Sequence, residues 1–153
     1  MLPEFKDRTK QQYIYELTSF GGTILYFLVS LFFLVLENYT IFFNLLVGII
    51  LIYTSVIIIK IFYFKDRPKK YKYGNFIEKI DASSFPSVHA ARITLLSVIL
   101  MNYFNNIMIS AILVVLIILV ACSRIMLKKH DIKDVGAGII LGIVIYFIIQ
   151  FTL

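Results

Sequence analysis

This chain of 153 residues has one cysteine, Cys122, so no internal disulfide can form, and the residue is expected to serve packing. Charge is scarce as well: 16% of residues are Asp, Glu, Lys or Arg against 60% hydrophobic, and the mean hydropathy is +0.90. That balance excludes a soluble domain of ordinary make-up. The first apolar run ends in Glu37-Asn38-Tyr39 without a small-residue cleavage pattern, so a retained anchor is expected rather than a removable signal. No nucleic-acid motif accompanies the net charge of +6, and direct binding of DNA or RNA is not expected. Asn38-Tyr39-Thr40 has the form of a glycosylation acceptor, but so short a loop between two spans is a poor site, and a chance match is preferred.

Long apolar sequence takes the place of these features. Five runs stand out: Thr18 to Leu36, Ile41 to Ile59, Val88 to Phe104, Asn106 to Leu127 and Ile132 to Leu153. Each is near the roughly 20 residues that a spanning helix needs. The expected fold is an all-α, polytopic membrane helical bundle of about five transmembrane helices. It would form a single membrane-embedded domain over residues 1–153, multi-pass in the cell membrane. Residues 1–17, where Glu4, Lys6, Asp7, Arg8, Lys10 and Glu16 cancel in charge, are expected to lie at the interface. The third run is the least clear span because Arg92 sits in its first turn.

The basic residues are unevenly spread. Of fifteen Lys and Arg, three precede the first run, seven lie from Lys60 to Lys79, one is Arg92 and four lie from Arg124 to Lys133. In a five-span arrangement all of them share one side. The positive-inside rule then places the N-terminus and both basic loops in the cytoplasm. Bases gathered to bind an anionic substrate would give the same distribution on whichever face held the site.

Polar chemistry concentrates between Lys60 and Pro86 and again after Cys122. Ile61-Phe62-Tyr63-Phe64, Tyr71, Tyr73 and Phe76 read as an interfacial aromatic belt with lysines snorkelling among headgroups. Gly74-Asn75 supplies a turn, and Asp81-Ala82-Ser83-Ser84 supplies capping residues before Phe85-Pro86-Ser87-Val88-His89. Pro86 suits a first helical position, so a helix is expected to start at Ser87 with His89 in its first turn. Its free N–H groups make a seat for phosphate, to which Ser87 would add a hydroxyl and His89 a titratable proton.

Beyond Ser123-Arg124, His130 and Asp134 are four apart and share a face if that stretch is helical. A carboxylate beside an imidazole sets which nitrogen carries the proton and leaves the other free to attack or to transfer a proton. Arg124 adds a planar donor fork suited to phosphate. Read alone, such a pair also fits a solvated cap at a membrane surface. His89, His130, Asp131 and Asp134 have the atom types of metal ligands, a reading that leaves the Lys and Arg residues unexplained. Asp134, Gly138 and Gly142, spaced by four, make a smooth face for close helix approach or a homo-oligomer seam.

Taken together, Lys60 with Arg67-Pro68, then Pro86-Ser87-Val88-His89, then Ser123-Arg124 with His130 and Asp134, the sequence resembles the type 2 phosphatidic acid phosphatase superfamily. Its pattern is Lys, six residues, Arg-Pro; Pro-Ser-Gly-His; and Ser-Arg, five residues, His, three residues, Asp. Ten of the eleven specified positions match in order, from Lys60 to Asp134. The departures are Val88 in place of Gly and one apparent span fewer before the first motif than such membrane proteins usually have. Dropping a helix there would reverse the side of the N-terminus if the site kept its usual outward side, against the charge count.

The resemblance implies that His130, oriented by Asp134, attacks phosphorus to form a phosphohistidine. His89 would protonate the leaving oxygen, while Lys60, Arg67, Ser87, the Val88 backbone and Arg124 bind the phosphoryl oxygens. It implies no metal and no other cofactor. The implied substrate is a lipid phosphate or diphosphate monoester, polyprenyl or phosphatidate-like, reached from the bilayer. Transfer of the phosphate to an acceptor other than water, or a non-catalytic lipid-binding role, are the alternatives.

Overall fold

A computed structural model describes residues 2–69 and 73–152, with side chains from residue 11 onward. Among these residues every regular element is a helix: α1 Leu2–Ser19, α2 Thr23–Val35, α3 Tyr39–Phe62, α4 Phe76–Ala82, α5 Val88–Phe104, α6 Ile107–Met126 and α7 Ile132–Thr152. Tyr71 and Leu153, named above in the aromatic belt and the last apolar run, lie outside the described residues.

The helix boundaries follow from side chains that satisfy orphan backbone donors. Asn38 accepts from Ile41 N–H to start α3, and Asn106 accepts from Met108 and Ile109 to start α6. Asn38 is thus a helix cap. Asn105, left-handed at φ 44°, closes α5 and leads directly into that cap, so two asparagines make the α5–α6 turn. Asn75 caps α4 through Glu78 N–H, and the Glu78 carboxylate accepts from Gly74 N–H.

Among the described residues four segments are long and apolar enough to cross a membrane: Gln11–Val35, Tyr39–Phe62, Ile107–Met126 and Ile132–Thr152. The polytopic all-α bundle is the fold class expected, with four of its five apolar runs reaching spanning length. The fifth apolar helix, α5, is 17 residues, or about 25 Å at 1.5 Å per residue. It lies in the middle of the bundle between α3, α6 and α7, where Ala90 through Ser97 are buried. Its Arg92 is buried against protein rather than lipid. The first run is also interrupted: α1 stops at Ser19 and α2 restarts after Gly22. A Cβ on Gly21 would stand 2.9 Å from Val120 and 3.1 Å from the His89 carbonyl, so the break lets this turn sit against the start of α5.

Tyr26, Leu45, Ile52, Leu95 and Ile149 form the centre of the core, while Ile24, Phe27, Ile112 and Phe147 leave the outer surface apolar. That is the arrangement of a membrane protein, whose outside faces hydrocarbon. Two expectations are corrected. Cys122 is exposed on the outer face of α6 and takes no part in core packing. Gly138 and Gly142 face α5, where added Cβ atoms would meet Ser87 O at 2.4 Å and Ala91 O at 2.6 Å. Their smooth face is consumed within the chain, so it offers no seam to a second copy.

Candidate active site

Four helix ends converge at one end of the bundle. Around a cavity of about 250 Å³ stand Lys60 from the end of α3, Val88 and His89 from the start of α5, Arg124 from the end of α6, His130 before α7, and Arg67 from the connecting loop. Six residues expected at the site are thereby brought together. Thr23, Tyr53, Asp81 and Arg92 complete the wall. Arg92 was legible as a candidate: it follows His89 by three positions, hence on the same helix face. Tyr53 precedes Lys60 by two helical turns and shares its face too, but an interior tyrosine carries no signal of its own.

The loop carrying Arg67 is tied down by backbone groups. Ser84 N–H donates to Lys65 O (2.8 Å), Lys65 N–H to Ser83 Oγ (3.2 Å), and Ser84 Oγ–H to Asp66 O (3.2 Å). Arg67 donates to Asp81 O at 2.5 Å. Ser83 and Ser84 therefore clamp this loop instead of capping α5 as expected. The α5 cap is Ser87, with Pro86 outside the helix. Val88 is the first helical residue and has no positive φ, so its side chain imposes no backbone strain where the family pattern has Gly.

His130 is 5% exposed, and its Nδ1 lies 2.7 Å from the Ser84 carbonyl. A carbonyl can only accept, so Nδ1 carries the proton and Nε2 keeps its lone pair. This differs from the expected orientation by Asp134, whose Oδ2 is 3.7 Å from Nδ1, too far for a hydrogen bond. Asp134, fully buried, instead caps α7. Its carboxylate accepts from Asp131 N–H (3.0 Å), and Asp134 N–H donates to Asp131 Oδ1 (2.9 Å) in a reciprocal capping box. Lys65 Nζ bridges both carboxylates at 2.6 Å each. No three His, Cys, Asp or Glu side chains converge as metal ligands among the described residues; Asp131 and Asp134 are occupied by Lys65.

Ser87 also departs from expectation. It is fully buried, accepts from Ala90 N–H and donates its own N–H to Asp134 O (3.0 Å). Neither Ser87 nor Asp134 lines the cavity; both lock the start of α5 to the start of α7.

Cations outnumber carboxylates in this wall. Arg92 donates to Thr23 Oγ1 and, at 2.9 Å, to Tyr53 Oη; Arg124 donates to Thr18 Oγ1 at 3.2 Å. The Nε atoms of Arg92 and Arg124 are buried without a hydrogen-bond partner among the described residues. A buried cationic donor left unsatisfied is costly. Burial, and then the nearby Arg124, push the His130 imidazole down to about 4 against the opposing pull of Ser84 O and Asp134. The ring is neutral at physiological pH. A larger cavity of about 640 Å³ at the opposite end of the bundle is lined by Asn44, Asn102 and Gln150 and has no carboxylate, imidazole or cation, so it lacks this chemistry.

Comparison with known proteins agrees with this layout. The structure superposes on the crystal structure of Aquifex aeolicus LpxE with a TM-score of 0.77 and 22% sequence identity, covering 94% of this chain and 86% of that one. At that identity the likeness is one of fold. The family model of the PAP2 superfamily matches residues 41–151, a stretch that contains all of the catalytic and phosphate-binding candidates. By that match the chain belongs to the PAP2 superfamily, and it is a membrane-embedded phosphatase.

Proposed function

We propose that this phosphatase hydrolyses a lipid phosphate or diphosphate monoester through a phosphohistidine on His130, without a metal. The observation that carries the reading is the pairing of His130 Nδ1 with the Ser84 carbonyl inside a cavity walled by Lys60, Arg67, Arg92 and Arg124. The cations hold the phosphoryl group, and the neutral Nε2 meets it.

In the first step His130 Nε2 forms a bond to phosphorus as the bond to the leaving oxygen breaks, and His89 gives that oxygen its proton. The bound phosphate dianion favours the charged imidazole His89 needs. The N-phosphorylated ring of His130 is positive, and the Asp134 carboxylate, 3.7 Å from Nδ1, stabilises it across space. In the second step His89 takes a proton from water as the water oxygen attacks phosphorus. The N–P bond breaks, releasing inorganic phosphate and neutral His130. The guanidinium groups take the charge-neutralising part that Mg²⁺ plays in many phosphoryl transfers.

The substrate is a polyprenyl diphosphate or a phosphatidate-like lipid of the cell membrane, with the polyprenyl class favoured because the described chain has little beyond its helices to select a headgroup. The chain works as one membrane-embedded domain. The test is phosphate release by purified protein in detergent, with and without excess EDTA, beside His130→Ala. EDTA-resistant release that disappears in His130→Ala is expected. A fully active His130→Ala would end the mechanism, and a phosphorylated acceptor in place of free phosphate would make the enzyme a transferase.

A further inference from the structure

A second, smaller cavity adjoins the catalytic one. It measures about 140 Å³ and is lined by Tyr15, Arg67, Lys69, Leu127, Lys128 and Lys129. Arg67 belongs to both walls. Four cations line this cavity and, among the described residues, no acidic side chain does, so its walls attract an anion.

The fold holds these cations in place. Lys69 N–H donates to Lys128 O at 3.1 Å, which ties the loop after Arg67 to the end of α6. Lys128 is left-handed at φ 54°, in the position after a helix where glycine is the usual residue. A lysine there is held against its own conformational preference. The turn folds back so that Lys129 N–H donates to Arg124 O (3.2 Å), and Lys129 Nζ stands 5.9 Å from the centre of the Tyr15 ring. Burial, then Arg124 and Arg67, hold the Lys129 ammonium below its ordinary value against the opposing pull of Asp81.

The small cavity shares walls with a groove of about 570 Å³ between α1 and α6. The two share Tyr15, Lys69, Leu127 and Lys128, and the groove adds Gln11, Ile14, Pro68 and Met126. Arg67 is thus a wall shared by the His130 cavity and the basic chamber, and Tyr15, Lys69, Leu127 and Lys128 are walls shared by the chamber and the groove.

Resting on the phosphatase reading, we propose that the chamber of Lys69, Lys128 and Lys129 is a second phosphate subsite, which holds the lipid-side phosphate of a diphosphate while the terminal phosphate lies at His130. The hydrocarbon chain leaves along the α1–α6 groove. The reaction then cleaves the phosphoanhydride: Nε2 bonds to the terminal phosphorus, the bridging oxygen leaves with the lipid monophosphate, and that product keeps the phosphate bound in the subsite. A monophosphate substrate leaves the chamber empty, so the subsite confers selectivity for diphosphates.

The test measures kcat/KM for a polyprenyl diphosphate and the monophosphate of the same polyprenol, in neutral detergent without other phospholipid, for wild type, Lys69→Gln/Lys128→Gln and Lys69→Arg/Lys128→Arg. Wild type is expected to prefer the diphosphate. The Gln pair should cut that ratio about tenfold through KM, and the Arg pair should keep it. Equal losses on both substrates, an unchanged ratio, or a preference that appears only when anionic phospholipid is added would each overturn the subsite. Release from the monophosphate but not preferentially from the diphosphate sinks the subsite alone. Release from neither by wild type sinks the phosphatase reading and the subsite with it.

Discussion

Gly138→Ala is a sharp perturbation because it adds one carbon at a place where the backbone of another helix cannot give way. The new Cβ would lie 2.4 Å from the Ser87 carbonyl oxygen and 3.0 Å from Ala90 Cβ. An unstrained carbon–oxygen contact is about 3.3 Å, so α7 and α5 must separate by about 0.9 Å. Ser87 O is itself the acceptor for Ala91 N–H at 3.0 Å, and Ser87 N–H is held by Asp134 O at 3.0 Å, so the shift passes to both helix starts. One of those starts carries His89, and the other is preceded by His130. Overpacking of this kind costs about 1–3 kcal/mol, and a misplacement near 1 Å between reacting groups can cost about a hundredfold in rate. Gly136→Ala is the matched control, since nothing lies within 4 Å of its added Cβ, and it should gain up to about 1 kcal/mol from helix propensity. Thermal unfolding and phosphate release in detergent should show Gly138→Ala less stable and much slower, and Gly136→Ala at least as stable and fully active. Equal activity of the two variants would refute the claim that helix contact sets the alignment of the two histidines.

Lys65→Met should destabilise the fold by about 2 kcal/mol, because Asp134 stays fully buried with its cation removed, a loss of about 3–5 kcal/mol reduced here for a lysine that is 25% exposed; an unfolding midpoint equal to wild type would count against it. Val88→Gly should remain active and lose about 0.5 kcal/mol, since the helical N–H is retained; loss of folding would show that the larger side chain is needed. For pH, the His130 value of about 4 in the fold lies below the ordinary value of about 6.5, so the unfolded chain takes up the proton first. Its stabilising contribution is complete above about pH 6.5 and is lost as pH falls toward 4, and kcat/KM should fall as the ring protonates near the lower value. The difference in unfolding midpoint between wild type and His130→Gln, followed from pH 7 to 4, should shrink; a constant difference would contradict the assignment.

Sequence alone determined the membrane-helical class, the helix boundaries from Val88 onward to within a residue or so, and the three clusters that supply His89, His130, Lys60, Arg67 and Arg124. These were legible because apolar run length, capping residues and fixed spacing are local properties of a chain. The break at Phe20–Gly22 was hidden inside one apolar run, because composition does not register where a helix stops when both sides are equally apolar. Tertiary structure alone decided the rest. It placed α5 inside the bundle, turned Gly138 and Gly142 inward, and recruited Thr18, Thr23, Tyr53 and Ser84 from distant parts of the chain. It also gave the proton on His130 Nδ1 to the Ser84 carbonyl, while Lys65 took Asp134. Spacing of four puts His130 and Asp134 on one face, but a carboxylate turns to whichever donors the fold brings nearest, and only the packed chain brings Lys65 there.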